Sequence, residues 1–119
     1  MIKFRAWDKN TNDMVSVKTI DLERDGSIGC IVDYSGINLD VSECVLMQST
    51  GLKDLKGVEI FEGDVVWIID KGEMDNGWGW FEEVKFRNGS FVADDDFLIN
   101  SHHRCVVRGN IYEQPELLS

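Results

Sequence analysis

The stretch that decides the fold is LMQSTGLKDLKGVEIFEGDVV, which occupies residues 46–66. An apolar run leads into it, its middle is rich in glycine, and Gly63-Asp64 predicts a turn before the hydrophobic run 65–69. That run is apolar at both parities, which is typical of a strand buried on both faces. The stretch is therefore either a working site or the joint at which a small β domain begins.

Downstream of this stretch, short apolar runs alternate with turn-forming residues. Residues 80–86 and 91–93 predict strands, and Asn88-Gly89 between them is the preferred pair for a two-residue hairpin turn. Residues 104–112 predict a final strand. Pro115 suits the start of one helical turn in the tail.

Upstream, residues 2–7 alternate between apolar and polar positions, which is the period of a half-buried strand. Residues 14–17 predict the return strand, so 2–17 forms a hairpin with a longer loop. A further strand is expected over 27–34, after the turn signal Asp25-Gly26. The run 41–49 is too short to distinguish a strand from a short helix.

The sum of these patterns is a mainly β protein with little helix. Residues 71–79 predict a loop because glycines interrupt every regular period there. We expect an N-terminal β-rich lobe over residues 1–55 and a small, strongly curved barrel over residues 56–119. The chain of 119 residues fits one compact unit, and the sequence contains no internal repeat.

The charge balance is strongly acidic, with 12 Lys and Arg against 22 Asp and Glu and a net charge of -10. This disfavours generic nucleic-acid binding, because a phosphate backbone attracts the opposite sign. Two alternatives stay open: an acidic mimic of nucleic acid, and a local basic patch on a nucleic-acid-associated barrel. The candidates for such a patch are Arg5, Lys85, Arg87, Arg104 and Arg108.

The remaining composition predicts a cytoplasmic protein without a membrane span. The longest apolar run, residues 65–69, is far too short to cross a bilayer. The N-terminal sequence MIKFRAWD carries charge within its first five residues and lacks the apolar region of a signal peptide. Cys30, Cys44 and Cys105 have apolar neighbours and no paired spacing, so we expect reduced, buried thiols.

Metal and catalytic signatures are weak throughout the chain. His102 and Cys105 form one pair of zinc-like ligands beside His103, but a structural zinc site needs a second pair. The run 94–96 consists of three aspartates, whose side chains would alternate between two sides of an extended chain. No nucleophile elbow, phosphate loop or dinucleotide fingerprint is present. The sequence predicts no metal, no cofactor and no enzymatic activity.

Aromatic residues crowd into one hairpin region, and strand alternation prevents all of them from facing one core. They either fill the core or form an exposed surface for protein–protein contacts. A homo-oligomer would satisfy both interpretations. The residues concerned are Trp67, Trp78, Trp80, Phe81, Phe86 and Phe91.

Four segments, in this order and spacing, resemble the YopX family of phage and prophage proteins. They are IKFRAWD (2–8), LMQSTGLKD (46–54), GVEIFEGDVV (57–66) and GNIYEQPELL (109–118). Ser49 departs from the aromatic residue that the resemblance leads us to expect there. The insert over residues 71–79 belongs to none of the motifs.

The resemblance implies a small β-rich fold with an SH3-like barrel, but no catalytic or binding residue, because the family's biochemical role is not established. It favours the interpretation of residues 46–66 as the joint, with the TGLKD turn docking the lobe. We therefore predict a phage or prophage accessory protein that is a non-enzymatic interaction module and a homo-oligomer, with a host or phage protein as a possible partner. The predicted interaction surface comprises Lys53, Asp54, Trp78 and Trp80.

Overall fold

The structure, a computed structural model, describes residues 2–70 and 78–119, and it is mainly β. The chain divides into two compact units, Met1–Gln48 and Ser49–Ser119. The sequence placed this boundary after residue 55. It falls earlier because strand β5, Cys44–Lys53, pairs with the first unit through its first half and with β6, Glu59–Phe61, through its second half.

The first unit is an antiparallel sheet that begins with the predicted hairpin. Strand β1 pairs with β2 from Phe4 opposite Val17 to Asp8 opposite Asp13, which confirms the hairpin over residues 2–17. The strand order is β4-β3-β2-β1 followed by the first half of β5. The bounds of these strands are β1 Phe4–Asp8, β2 Asp13–Leu22, β3 Ile28–Asp33 and β4 Asn38–Leu39.

The ambiguous run 41–49 contains both of the structures that the sequence allowed. A single 3-10 turn spans Val41–Glu43, and strand β5 starts at the next residue. The turn begins there because the Asp40 carboxylate accepts a hydrogen bond from the Ser42 backbone N–H at 3.0 Å. The core of the first unit consists of Ala6, Val17, Ile31 and Leu39.

The second unit contains two three-stranded sheets, with strand orders β12-β7-β8 and β11-β10-β9. In the described residues these two sheets are not closed into a barrel, so the barrel expected over residues 56–119 stays a prediction. The buried run 65–69 lies in the central strand β7, as expected for a strand covered on both faces. The strand bounds are β7 Asp64–Ile69, β8 Gly79–Glu83, β9 Lys85–Arg87, β10 Ser90–Ala93, β11 Asp96–Phe97 and β12 Cys105–Asn110.

The strand predicted over 80–86 is interrupted at Val84, and the prediction of one continuous strand was wrong. Val84 is fully buried, and its backbone N–H donates to the Asp64 carbonyl while its own carbonyl accepts from Gly63 N–H, both at 2.8 Å. These bonds hold Val84 at the start of β7. The segment before it therefore pairs with β7, whereas the segment after it pairs with β10.

The hairpin turn predicted at Asn88-Gly89 is confirmed. Both residues have positive φ, 53° and 81°, which the tight turn between β9 and β10 requires. A second hairpin follows at Asp94, whose φ is 61°, so Asp94 and Asp95 form the turn after β10, and Asp96 is the first residue of β11.

A short helix follows the second hairpin, and the sequence did not predict it. Helix α1 spans Leu98–Ser101 and leads into a 3-10 turn, His102–Arg104. Four residues are too few to establish a helical period. The expected turn in the tail is present as a 3-10 turn, Pro115–Leu118.

The core of the second unit draws on nearly every element in it. The core residues are Ile60, Val66, Ile68, Val84, Ala93, Leu98 and Cys105.

Two further predictions concern membrane spans and a loop. No helix among residues 2–70 and 78–119 is long and apolar enough to cross a membrane. The loop predicted over 71–79 lies mostly outside the described residues, and Gly79 already belongs to β8.

Candidate interaction site

The second unit carries an open groove of about 240 Å³. Its lining is mostly apolar, and strands β5, β10 and β11 together with helix α1 supply it. Small-molecule sites usually measure about 300–1,000 Å³, so this groove is better matched to a side chain than to a complete ligand. The lining residues are Thr50, Leu52, Ser90, Phe91, Phe97 and Ile99.

The floor of the groove is tied to the core of the unit. Leu52 and Phe91 are partly buried and pack against the core cluster. The Thr50 hydroxyl donates to the Ile60 carbonyl at 2.7 Å and accepts from Leu52 N–H at 3.1 Å. The Thr50 hydroxyl thus makes its hydrogen bonds within the fold, so the floor of the groove is preformed.

The rim of the groove exposes large apolar side chains. Phe97 is 54% exposed and Ile99 is 62% exposed, while Leu98 between them is fully buried. Leu98 anchors the segment and turns its two neighbours outward. Clustered apolar exposure of this kind marks an interaction site more often than a scattered exposed residue does.

The sheet beside the groove has exposed edges. All three residues of β9 and both residues of β11 are exposed, whereas β10 between them is half-buried or buried. Phe86 on β9 is 53% exposed and meets Phe91 edge to face, with ring centroids 5.0 Å apart. Each edge therefore presents one exposed phenylalanine.

Acidic residues directly precede the rim residue Phe97. Asp94, Asp95 and Asp96 directly precede Phe97, and all three are exposed. The pKa of Glu82 is raised by its burial and then by the charge of Asp94, which indicates a negative potential near the hairpin. Residues 49–119 contain seven Lys and Arg against fourteen Asp and Glu, a net charge of -7.

A second groove, of about 260 Å³, lies in the first unit and is more polar. Two lysines stand on its rim, and Ile2 and Tyr34 are strongly exposed there. Its lining residues are Ile2, Lys3, Phe4, Val17, Lys18, Ile20 and Tyr34.

The structure separates the two predicted site residues Lys53 and Asp54. Lys53 is exposed, and its backbone carbonyl lies 2.7 Å from Nδ1 of His102. Asp54 is only 6% exposed, and its carboxylate accepts three backbone hydrogen bonds of 2.8 Å, from Lys56, Val58 and Val107. Asp54 was expected on an exposed loop, but it is buried, and its carboxylate links its own turn to strand β12 within the second unit. We call this link the interior tie.

The predicted tryptophans are also placed differently from each other. Trp78 is 67% exposed and lies directly after residues 71–77, which the structure does not describe. Trp80 is half-buried and packs against the core. Trp67 meets Phe81 edge to face, with ring centroids 4.8 Å apart. The aromatic cluster is therefore divided, with Trp80 packed against the core and Trp78 exposed.

The five basic residues considered for a phosphate-binding patch have different surroundings. Arg5 belongs to the first unit. Arg104 uses its guanidinium within the fold, where it donates to the Ile69 carbonyl at 3.0 Å. Lys85 and Arg87, two residues apart on β9, share one face of their sheet, and Arg108 is exposed on β12.

Cys105, which the sequence suggested as a metal ligand, lies in the interior of the second unit. The Cys105 thiol is fully buried and donates to the Ser101 carbonyl at 3.3 Å, and burial raises its pKa to about 11. A thiol with that pKa is protonated at neutral pH and is a poor nucleophile or metal ligand. Within the described parts of the chain, no three His, Cys, Asp or Glu side chains are arranged to hold a metal ion.

Sequence reasoning missed the groove residues Phe97 and Ile99. The available signal was a run of three aspartates followed at once by Phe97-Leu98-Ile99. Which of these three apolar residues is buried depends on α1, which the sequence did not reveal.

Comparison with known proteins places this architecture among solved relatives. The family model described as "YopX protein" matches residues 3–119. Protein EF1440 from Enterococcus faecalis has a similar crystal structure, with 30% identity, a TM-score of 0.76, and coverage of 100% of this chain and 99% of that one. Protein yopX from Bacillus subtilis is similar in fold, with 21% identity, a TM-score of 0.63 and 98% of each chain covered. None of the curated proteins matches this chain.

Proposed function

The chain belongs to the YopX family, and on that premise we propose that it is a non-enzymatic protein-interaction module. The observation that carries the proposal is the groove of the second unit, whose floor is preformed and whose rim exposes Phe97 and Ile99. We further propose a phage- or prophage-encoded accessory protein that works as a homo-oligomer in the bacterial cytoplasm. For the fold, we propose that the second unit is an SH3-like barrel, as the resemblance to the family implies.

The chemistry around the groove specifies what the partner must present. The groove volume fits one or two apolar side chains, which would cover Phe97 and Ile99. The unit's net charge of -7 favours a partner segment that carries lysine or arginine beside those side chains. The proposed ligand is therefore an apolar side chain on a basic segment of a protein.

Affinity purification from a bacterium that carries the prophage tests this function. The full chain is compared with Ile99→Ser, which removes an exposed rim side chain, and with Val58→Ser as a matched control. Val58 is 48% exposed in the same unit but does not line the groove. We expect a stoichiometric partner with a basic contact segment to be lost with Ile99→Ser and retained with Val58→Ser. Equal retention by both variants would remove the groove from the proposal.

A second candidate function follows from the same charge. An acidic mimic of nucleic acid would also bind a basic partner, but it would occupy that partner's nucleic-acid site. Adding duplex DNA to the purified complex separates the two functions. Displacement of this chain by DNA would favour the mimic, whereas a complex insensitive to DNA but lost with Ile99→Ser would favour the groove.

A further inference from the structure

We infer that copies of this chain associate head to tail, with the basic edge β9 of one copy against the acidic edge β11 and the groove of the next. The inference rests on the proposed interaction role of the groove, and it names a second copy as the occupant. The chain itself contains the segment that the groove calls for: Lys85-Phe86-Arg87 is an exposed phenylalanine flanked by two positive charges.

The two edges of the β11-β10-β9 sheet are complementary. On the β11 side, Asp95 and Asp96 precede the exposed Phe97 beside the groove. On the β9 side, Phe86 stands between Lys85 and Arg87.

Within one copy Phe86 and Phe97 lie on opposite faces of the sheet, because Phe86 is opposite Phe91 whereas Phe97 is opposite Val92. When the second copy is turned over, so that its β11 runs antiparallel to β9, Phe86 meets Phe97 on one face and Lys85 and Arg87 meet Asp96 on the other. This contact covers both phenylalanines and pairs opposite charges, within a protein whose net charge is otherwise -10.

Pairing of like edges is disfavoured by the same charges. An antiparallel contact between two copies of β9 would place Lys85 against Arg87, and two copies of β11 would bring their aspartates together. Like charges directly opposite each other destabilise strand contacts. The contact is therefore heterologous, and such contacts build rings when the rotation closes.

Side chains carry most of this contact, because the edges are too short for a long ladder. Strand β9 has three residues and β11 has two, and α1 begins directly after β11. Backbone bonding between copies is limited to one or two residues. The strength of association should therefore depend on the signs of the four charges and on the two phenylalanines.

Charge reversal, followed by sedimentation velocity over a range of concentrations, tests the inference on the full chain. Lys85→Glu with Arg87→Glu reverses one edge, and Asp95→Lys with Asp96→Lys reverses the other. Each double variant should weaken self-association by at least about tenfold, because like charges then face each other. An equimolar mixture of the two, or one chain with all four changes, should recover the wild-type association.

A matched control separates this contact from the effect of overall charge. Lys9→Glu with Arg24→Glu lowers the net charge from -10 to -14, as the β9 reversal does, but alters exposed residues of the first unit. The control should associate as the wild type does. A quadruple variant that stays dissociated, or a control that dissociates equally, overturns the inference while leaving the groove proposal intact. A wild type that is monomeric at every concentration overturns the inference and the proposed homo-oligomer, but the partner purification still decides the groove.

Discussion

Two turns, one in each unit, have the same local structure and different surroundings. In the first, Asp33 accepts hydrogen bonds from Ser35 and Ile37 N–H at 2.9 Å, and Gly36 has φ 82°. In the second, the equivalent residues are Asp54, which accepts from Lys56 and Val58 N–H at 2.8 Å, and Gly57, which has φ 84°. In both turns the backbone N–H of the aspartate also donates to the carbonyl of the residue four positions later.

The difference lies in the second carboxylate oxygen. Oδ2 of Asp54 accepts from Val107 N–H on β12 at 2.8 Å, and the neighbouring Leu55 N–H donates to the Cys105 carbonyl at 2.8 Å. Asp33 is only half-buried, and its Oδ2 accepts no bond within the described parts of the chain. One local pattern thus forms a surface turn in one unit and an interior tie in the other.

Replacing the two aspartates should give the largest contrast. Asp54→Ala leaves three backbone N–H groups without their acceptor in a partly buried setting, so we expect the free energy of unfolding to fall by about 3 kcal/mol. Asp33→Ala exposes its two N–H groups to water and should cost about 1 kcal/mol. Urea denaturation of both variants measures the difference. Equal losses would mean that the bond to β12 contributes nothing.

Thiol reactivity reports on the segment that the Asp54 turn holds. Burial raises the pKa of Cys105 to about 11, from an ordinary value of 9.0. Two pKa units lower the thiolate fraction about a hundredfold, so iodoacetamide should alkylate Cys105 at least that much more slowly than an unshifted thiol. Mass spectrometry resolves the site, with free cysteine added to the same reaction as the reference thiol. Asp54→Ala should accelerate modification of Cys105, and an unchanged rate would contradict the tie.

The glycines of the two turns should, in contrast, behave alike. A Cβ added at Gly36 or at Gly57 meets nothing within 4 Å, so the cost of Gly→Ala comes from the positive φ alone. We expect each variant to lose about 1–2 kcal/mol of unfolding free energy. Thermal melting of the two variants checks this. A much larger loss at Gly57 would show that the burial of Asp54 also constrains the backbone of its turn.

Glu82 lies outside both turns, and its replacement should change the free energy of unfolding least. The pKa of Glu82 is raised, chiefly by burial, so its ionised form destabilises the folded protein. The stability that protonation contributes is full below the unfolded pKa, near 4.5, and is lost as pH rises through the folded value. Glu82→Gln should therefore stabilise the protein at pH 7 by no more than about 0.5 kcal/mol. It should give no gain at pH 3, with the exposed Glu116→Gln as control, and a gain at both pH values would refute the assigned cause.

The sequence predicted the elements that depend on neighbours in the chain. The N-terminal hairpin, the Asn88-Gly89 turn and the turn at Pro115 follow from alternation and turn chemistry over a few residues. The break at Val84 was missed because its cause is a pair of bonds to Gly63 and Asp64, about twenty residues earlier. The groove was missed for the same reason, since its lining comes from β5, β10, β11 and α1.

The sequence by itself determined the mainly β class, the positions of the local turns and the resemblance to the YopX family. The class and the turns rest on the backbone preferences and local hydrogen bonds of short segments, and the resemblance rests on four sequence motifs. Only the tertiary structure decided that Asp54 is interior while Asp33 is not, because the donor that distinguishes them, Val107 N–H, is 53 residues away along the chain. It also decided which of the crowded aromatic residues are packed against the core and which are exposed. Burial depends on what other elements bring to the same place, which a local pattern does not encode.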